Sequence, residues 1–244
     1  MTEATLDRAL RIAAPISVLG LLVSGWLDFL YAPPDAIEGQ VQRIFYLHVA
    51  SAITAYVAFG VVLVGSVFYL WRELLWSDRM ARSAAQVGLV FTTVCLVMGS
   101  LWGASAWGTY WQWGDARLDS TLVLWLVYAA YLLLRRVATP GRGAARLAAV
   151  VGIVGCIDIP IVHFSVLWWR TLHPGPVLET GALPASMLLA FMVTMLSVLL
   201  FGAVLTALRY RIDALREEAA QLRAAADALV VQERAPAEYA EVLS

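Results

Sequence analysis

Long apolar runs separated by short polar stretches account for almost the whole chain. Six of them, near Ile12–Tyr31, Ile44–Trp71, Ser83–Ala106, Thr121–Leu134, Ala148–Trp169 and Pro184–Leu208, read as bilayer crossings, each of which takes about 20 helical residues. Thr121–Leu134 is the shortest and draws length from its flanks. Backbone polar groups in lipid must be satisfied within the segment, so each crossing is expected to be a helix. The pattern therefore predicts an all-α integral membrane protein with six transmembrane helices. The polar start, Met1 to Arg11, leads into a long first run, as in a retained span rather than a cleaved signal peptide. No repeat of 20–50 residues is visible, which excludes a solenoid.

Beyond the sixth run the pattern changes. Leu208, Ile212, Leu215, Ala219, Leu222, Ala226 and Leu229 follow alternating spacings of four and three, a heptad seam over about three repeats. This predicts a cytoplasmic helical extension, either solvated or docked on a partner. Pro236 is expected to end it, with disordered residues after it. The chain divides accordingly into a six-span domain, 1–211, and a tail, 212–244.

The arginines set the expected orientation. Arg8, Arg11, Arg72, Arg79, Arg82, Arg135, Arg136, Arg142, Arg146, Arg209 and Arg211 fall at one set of span ends, and only Arg43, Arg117 and Arg170 at the other. Positive charge collects on the cytoplasmic side of short loops. Both termini are thus expected in the cytoplasm, the span ends near Arg43, Arg117 and Arg170 facing outside. In the outer loops, Pro33-Pro34 and Pro174-Gly-Pro176 predict turns.

Composition narrows the picture. A hydrophobic share of 61% and a mean hydropathy of +0.75 belong to a polytopic membrane protein. A net charge of −1 gives no reason to expect a nucleic-acid partner. Cys95 and Cys156 lie inside apolar runs outside any Cys-x-x-Cys pattern. They read as small core residues rather than a disulfide, a zinc site or a covalent haem attachment.

The chemistry concentrates in one outer loop, Trp107-Gly108-Thr109-Tyr110-Trp111-Gln112-Trp113-Gly114-Asp115-Ala116-Arg117-Leu118, with three Trp and one Tyr in its first seven residues. An ordinary aromatic belt at the headgroups is one reading. The density suggests instead a flat platform for a large planar ligand. Arg43 and Arg117, each near an aromatic or a His, suit ligand carboxylates through charge-assisted hydrogen bonds. Lipid phosphate is the alternative partner for each.

All three histidines fall in the outer half. His48 is about one turn inside the second span, His163 is well within the fifth, and His173 follows it. Two neutral imidazoles from different segments can ligate both faces of a haem iron. A zinc site would want further close ligands. Loop depth favours His48 and His173. His163, three residues past Pro160, is most simply a structural hydrogen-bonding group in a kink. Asp28 and Asp158 are acids within spans. Asp28 is near enough to the outer end to reach water, and Asp158 is deep enough to pair with a buried donor such as His163.

Together, the Trp-Gly-x-x-Trp-x-Trp-Asp stretch, the Gln-Arg-x-x-Tyr-Leu-His run and the Trp-Trp-x-Thr-Leu-His run resemble the cytochrome c maturation protein C family, also called haem exporter protein C. The resemblance covers roughly Ile12 to Arg211. It implies a bacterial inner-membrane protein, not an enzyme, that holds haem b non-covalently at its outer face. That haem is presented to a periplasmic haem chaperone during c-type cytochrome biogenesis. An ABC transporter ATPase, its membrane subunit and a small single-span subunit complete the implied complex. His48 and His173 are the implied axial ligands, with Trp107, Gly108, Trp111, Trp113, Asp115, Arg117 and Arg43 around the haem. Gly114 is an insertion relative to the family pattern, and a glycine can absorb it as a turn. The rival is a membrane b-type cytochrome in a quinone pathway. Such a protein would carry a second haem on the inner side, where no histidine lies.

Overall fold

The computed structural model describes residues 3–139, 141–169, 171–173, 181 and 183–242. Six helices follow the six apolar runs: α1 (Glu3–Trp26), α2 (Ile44–Arg72), α3 (Leu75–Trp107), α4 (Ala116–Val137), α5 (Arg142–Trp168) and α6 (Ala185–Val242). Each is long and apolar enough to cross a membrane, and no strand occurs among the described residues. The chain is a multi-pass all-α membrane protein. A π-helical turn, Leu27–Tyr31, extends α1, and a 3-10 turn, Val41–Arg43, leads into α2.

Helix α2 is the centre of the bundle, packing on α3, α5 and α6, while α1 lies along α6 and α4 along α5 and α3. Lipid tails are as apolar as leucine, so close packing and small residues must hold such helices together. Ala50, Ala55 and Ala58 of α2 and Ala81, Ala84 and Ala85 of α3 are buried accordingly. In the middle of the bundle the Phe59 and Tyr128 rings stack 3.6 Å apart, and Tyr128 donates its hydroxyl proton to the Gly152 carbonyl at 3.0 Å. Thr54 and Thr92 donate to the carbonyls of Ala50 and Gly88, each at 2.8 Å. That leaves no hydroxyl of theirs unpaired in the core. Leu19, Leu22, Leu30, Val57 and Val64 point outward, where acyl chains would lie.

The end of the bundle holding the arginine clusters is cross-linked by ion pairs. Arg135 pairs with Asp78, Arg79 with Glu217 at 2.5 Å and Arg82 with Asp213 at 3.2 Å. Arg211 reaches Glu3 at 2.7 Å and Asp7 at 3.1 Å, and Arg146 reaches Glu73 at 2.6 Å. The bonds of Arg79, Arg82 and Arg211 pin α6 to α3 and α1, while Arg135 ties α4 to α3 and Arg146 ties α5 to the turn after α2.

Two expectations are corrected. Helix α6 does not stop at Pro236 but runs to Val242, so the residues after Pro236 are helical rather than disordered up to that point. A proline removes one backbone bond, and the flanking bonds can carry the helix past it. Asp28 does not reach water: it is buried and both its oxygens accept from the Thr194 hydroxyl, at 2.9 and 2.8 Å. The π-helical turn that contains it draws the carboxylate in against α6. Arg170 and the Pro174-Gly-Pro176 turn lie outside the described residues.

Candidate functional site

The opposite end of the bundle is built around the tryptophan loop. Helix α3 ends at Trp107 because Gly108 adopts φ +75°, a left-handed conformation open to glycine at little cost. Thr109 Oγ1 then donates to the Trp111 carbonyl at 2.8 Å and accepts the Trp111 N–H at 3.3 Å. Gly114 takes φ +90°, absorbing the extra residue as a turn, and donates its N–H to Asp119 Oδ2 at 2.8 Å. Asp115 next caps α4, its Oδ1 accepting from the N–H groups of Arg117 and Leu118 at 3.0 and 3.2 Å. This is the usual answer to the orphan donors of a first helical turn.

Asp115 has a second task. Its Oδ2 accepts the Leu172 N–H at 2.7 Å, tying the loop before α4 to the segment after α5. His173, the next residue, is thereby held edge-on to Trp107, with ring centroids 5.1 Å apart. His173 Nδ1 lies 3.8 Å from Asp115 Oδ1, beyond hydrogen-bonding range. Burial first, then the charge of Arg117, holds the His173 imidazole well below its usual pKa, with Asp115 opposing. The ring is therefore neutral near pH 7, with a lone pair free to bind a metal.

His48 approaches from α2 and sits in a fitted socket. Its Nδ1 lies 2.9 Å from the Cys95 carbonyl. A carbonyl only accepts, so Nδ1 carries the proton and Nε2 keeps its lone pair, the arrangement that orients a metal-ligating histidine. The ring rests against Gly99, where an added Cβ would come within 2.8 Å of Cε1. Trp102, about one turn further along α3, meets the ring edge-on, with centroids 5.9 Å apart. The Trp102 N–H is in turn held by Glu38 Oε2 at 3.0 Å.

These groups converge on one cavity of about 400 Å³, within the usual range for a small-molecule or cofactor site. His48, His163, His173, Trp102, Trp107, Trp111, Arg117 and Glu38 line it, and Tyr56, Thr92, Leu124 and Val162 form its deep end. Tyr56 lies eight residues beyond His48 on α2, about 12 Å further into the bundle. The cavity thus descends between helices, deeper than the loop-level platform that the sequence suggests. Two donors point to an acidic ligand. The Trp111 indole Nε1 is buried with no hydrogen-bond partner among the described residues, and the Arg117 guanidinium reaches the His163 carbonyl at 3.4 Å, longer than a good N–H···O bond.

Of the residues singled out in the sequence, His48, His173, Trp107, Trp111 and Arg117 meet in the cavity wall, and Asp115 braces it from behind. Gly108 makes the turn out of α3 without lining the space. Trp113 is tilted 58° to Trp111 and is 73% exposed, so the indoles do not form one plane. Arg43 bonds instead to the Asp28 carbonyl and to Gln40 Oε1 at 2.5 Å. Sequence reasoning missed Glu38, Gly99, Trp102 and the wall position of His163. Glu38, Gly99 and Trp102 stand in no motif that would mark them in the sequence.

Comparison with known proteins places these features in a group. Residues 2–225 match the family described as Heme exporter protein C. The chain is 39% identical to Heme exporter protein C of Bradyrhizobium diazoefficiens over 207 residues, covering 83% of this chain and 78% of that protein. It is 36% identical to Heme exporter protein C of Escherichia coli K12 over 201 residues, 80% of each chain. A putative cytochrome c biosynthesis ccmC-like mitochondrial protein of Arabidopsis thaliana is 30% identical over 223 residues, 87% of this chain and 84% of that protein.

Proposed function

The chain belongs to the Heme exporter protein C family, and from that premise we propose that it binds haem b non-covalently in this cavity, through His48 and His173, and presents it to a periplasmic haem chaperone during c-type cytochrome biogenesis. The observation that carries the reading is the meeting of His48, from α2, and His173, from the segment after α5, at a single apolar cavity of about 400 Å³. Haem iron brings two axial positions, which a pair of neutral imidazoles satisfies.

The donor set fits such a ligand on three counts. The Cys95 carbonyl fixes the His48 tautomer, the Gly99 face leaves room for the ring, and the Trp111 N–H, unpaired among the described residues, with the Arg117 guanidinium offers a seat for propionates. A carboxylate there would turn an orphaned donor into a charge-assisted hydrogen bond. Arg43 drops out of that role in this reading, since it already holds the turn before α2 to the end of α1. Filling both axial positions favours holding and passing on haem over oxygen chemistry. The protein then acts as an assembly factor rather than an enzyme.

Orientation completes the reading. Eleven arginines at one set of span ends against three at the other support a cytoplasmic arginine end and a periplasmic tryptophan end. The membrane is the bacterial inner membrane, and the working assembly includes the ATPase and membrane subunits of an ABC transporter with a small single-span subunit. The test is purification of His48→Gly, His173→Gly and the double variant with the chaperone. The double variant loses haem and its transfer, and added imidazole restores part of each. Full haem content with an unchanged absorption spectrum in the double variant contradicts the proposal.

A further inference from the structure

We propose that Glu38 and Trp102 form a positioning pair that fixes the rotation of the His48 imidazole. This rests on His48 being an iron ligand, as argued above. The pair begins in the loop between α1 and α2. Asp35 Oδ1 accepts the N–H groups of Ile37 and Glu38 at 2.8 and 2.9 Å. The bond from Glu38 first, then that from Ile37, holds the Asp35 carboxyl below its usual pKa, so it stays an acceptor at neutral pH. Asp35 and Gly39 also exchange backbone hydrogen bonds at 3.1 Å, which closes the turn.

This turn carries Glu38 across the end of α3. There Oε2 accepts the Trp102 N–H at 3.0 Å, a charge-assisted bond spanning 64 residues of sequence. Trp102 stands nearly perpendicular to His48, at 81°, and to Phe45, at 84°. The imidazole plane turns about its Cβ–Cγ bond, and the bond from Nδ1 to the Cys95 carbonyl and the contact with Gly99 restrain that turn without closing it off. The indole edge limits what remains of this freedom, and the Glu38 bond sets the indole's own rotation alongside its packing on Phe45. Glu38 also lines the cavity. A glutamine at this position still accepts from Trp102; an alanine does not.

The experiment uses the full-length chain loaded with haem b, as wild type and as E38A, E38Q, W102F and the E38A/W102F double variant. The readout is the low-temperature paramagnetic resonance of the ferric form, whose largest g value follows the angle between the two axial imidazole planes. E38A and W102F each shift that g value in the same direction and lower haem retention about tenfold, the usual scale for loss of an outer-shell partner. The double variant matches the single ones, and E38Q keeps the wild-type signal. An unchanged g value in W102F, or shifts that add in the double variant, overturns the proposal. So does haem loss in E38A that leaves the signal of the remaining haem unaltered. Should E38A fail to fold, W102F and E38Q decide by the same criteria. A wild-type spectrum without two axial imidazoles overturns the proposed function itself, and is seen before any variant is made.

Discussion

At the arginine end of the bundle, Arg79, Arg82, Arg135 and Arg211 each meet a carboxylate from another helix. At the tryptophan end, Trp111 Nε1 and His173 Nδ1 are buried without a hydrogen-bond partner among the described residues, beside an arginine whose bond to a carbonyl is long. Both ends keep buried polar atoms without a hydrogen-bond partner among the described residues, Arg79 Nε and Arg135 Nε being two at the arginine end, but there each arginine's charge also meets a carboxylate. A buried donor left unpaired costs about 1–3 kcal/mol. A fold that pairs its charges between helices at one end and turns an indole donor and an imidazole into a cavity at the other keeps its clamping apart from its cavity.

The contrast can be broken from either side. The largest expected effect is at the clamped end: Arg135→Ala leaves Asp78 uncompensated between α3 and α4. It should lower stability by about 3 kcal/mol, measured by denaturant titration in detergent, with haem binding per folded molecule unchanged. Next comes Asp115→Ala at the binding end. Loss of the α4 cap and of the bond to Leu172 should cost about 2 kcal/mol. Unlike Arg135→Ala, it should also weaken haem retention, because His173 loses its brace.

Gly99→Ala sharpens the contrast further. The new methyl meets the His48 ring at 2.8 Å, so haem affinity should fall about tenfold, equivalent to about 1.4 kcal/mol, as measured by haem titration. The smallest effect is expected for Arg142→Ala. Its pair with Glu73 spans 3.5 Å and the arginine side chain is 85% exposed, so stability should change by less than about 0.5 kcal/mol and binding not at all.

Much of this division was legible in the sequence. Apolar run length gave the six helices, and the uneven arginine count separated the two ends. The aromatic density of Trp107–Trp113, with all histidines at one depth, marked the cavity end. The parts that were hidden are long-range or backbone in character. Glu38 and Trp102 are far apart in the chain and neither lies in a recognisable motif. Cys95 acts through its carbonyl, which any residue possesses, while its buried thiol is the small core group the sequence suggests. Gly99 matters through the side chain it lacks. Trp113 was drawn into the platform because spacing alone cannot tell an indole facing a cavity from one facing solvent. Asp28 was misjudged because its distance from the span end did not reveal the π-helical turn that buries it.

Holding haem in this way requires His48 and His173 to share one iron. Paramagnetic resonance and near-infrared magnetic circular dichroism of the wild-type ferric protein, purified with its haem, test this most directly. A six-coordinate low-spin signal with two imidazole nitrogens is expected, absent from the His48→Gly, His173→Gly double variant. A five-coordinate high-spin signal in the wild type, or a low-spin signal unaltered in the double variant, contradicts the account.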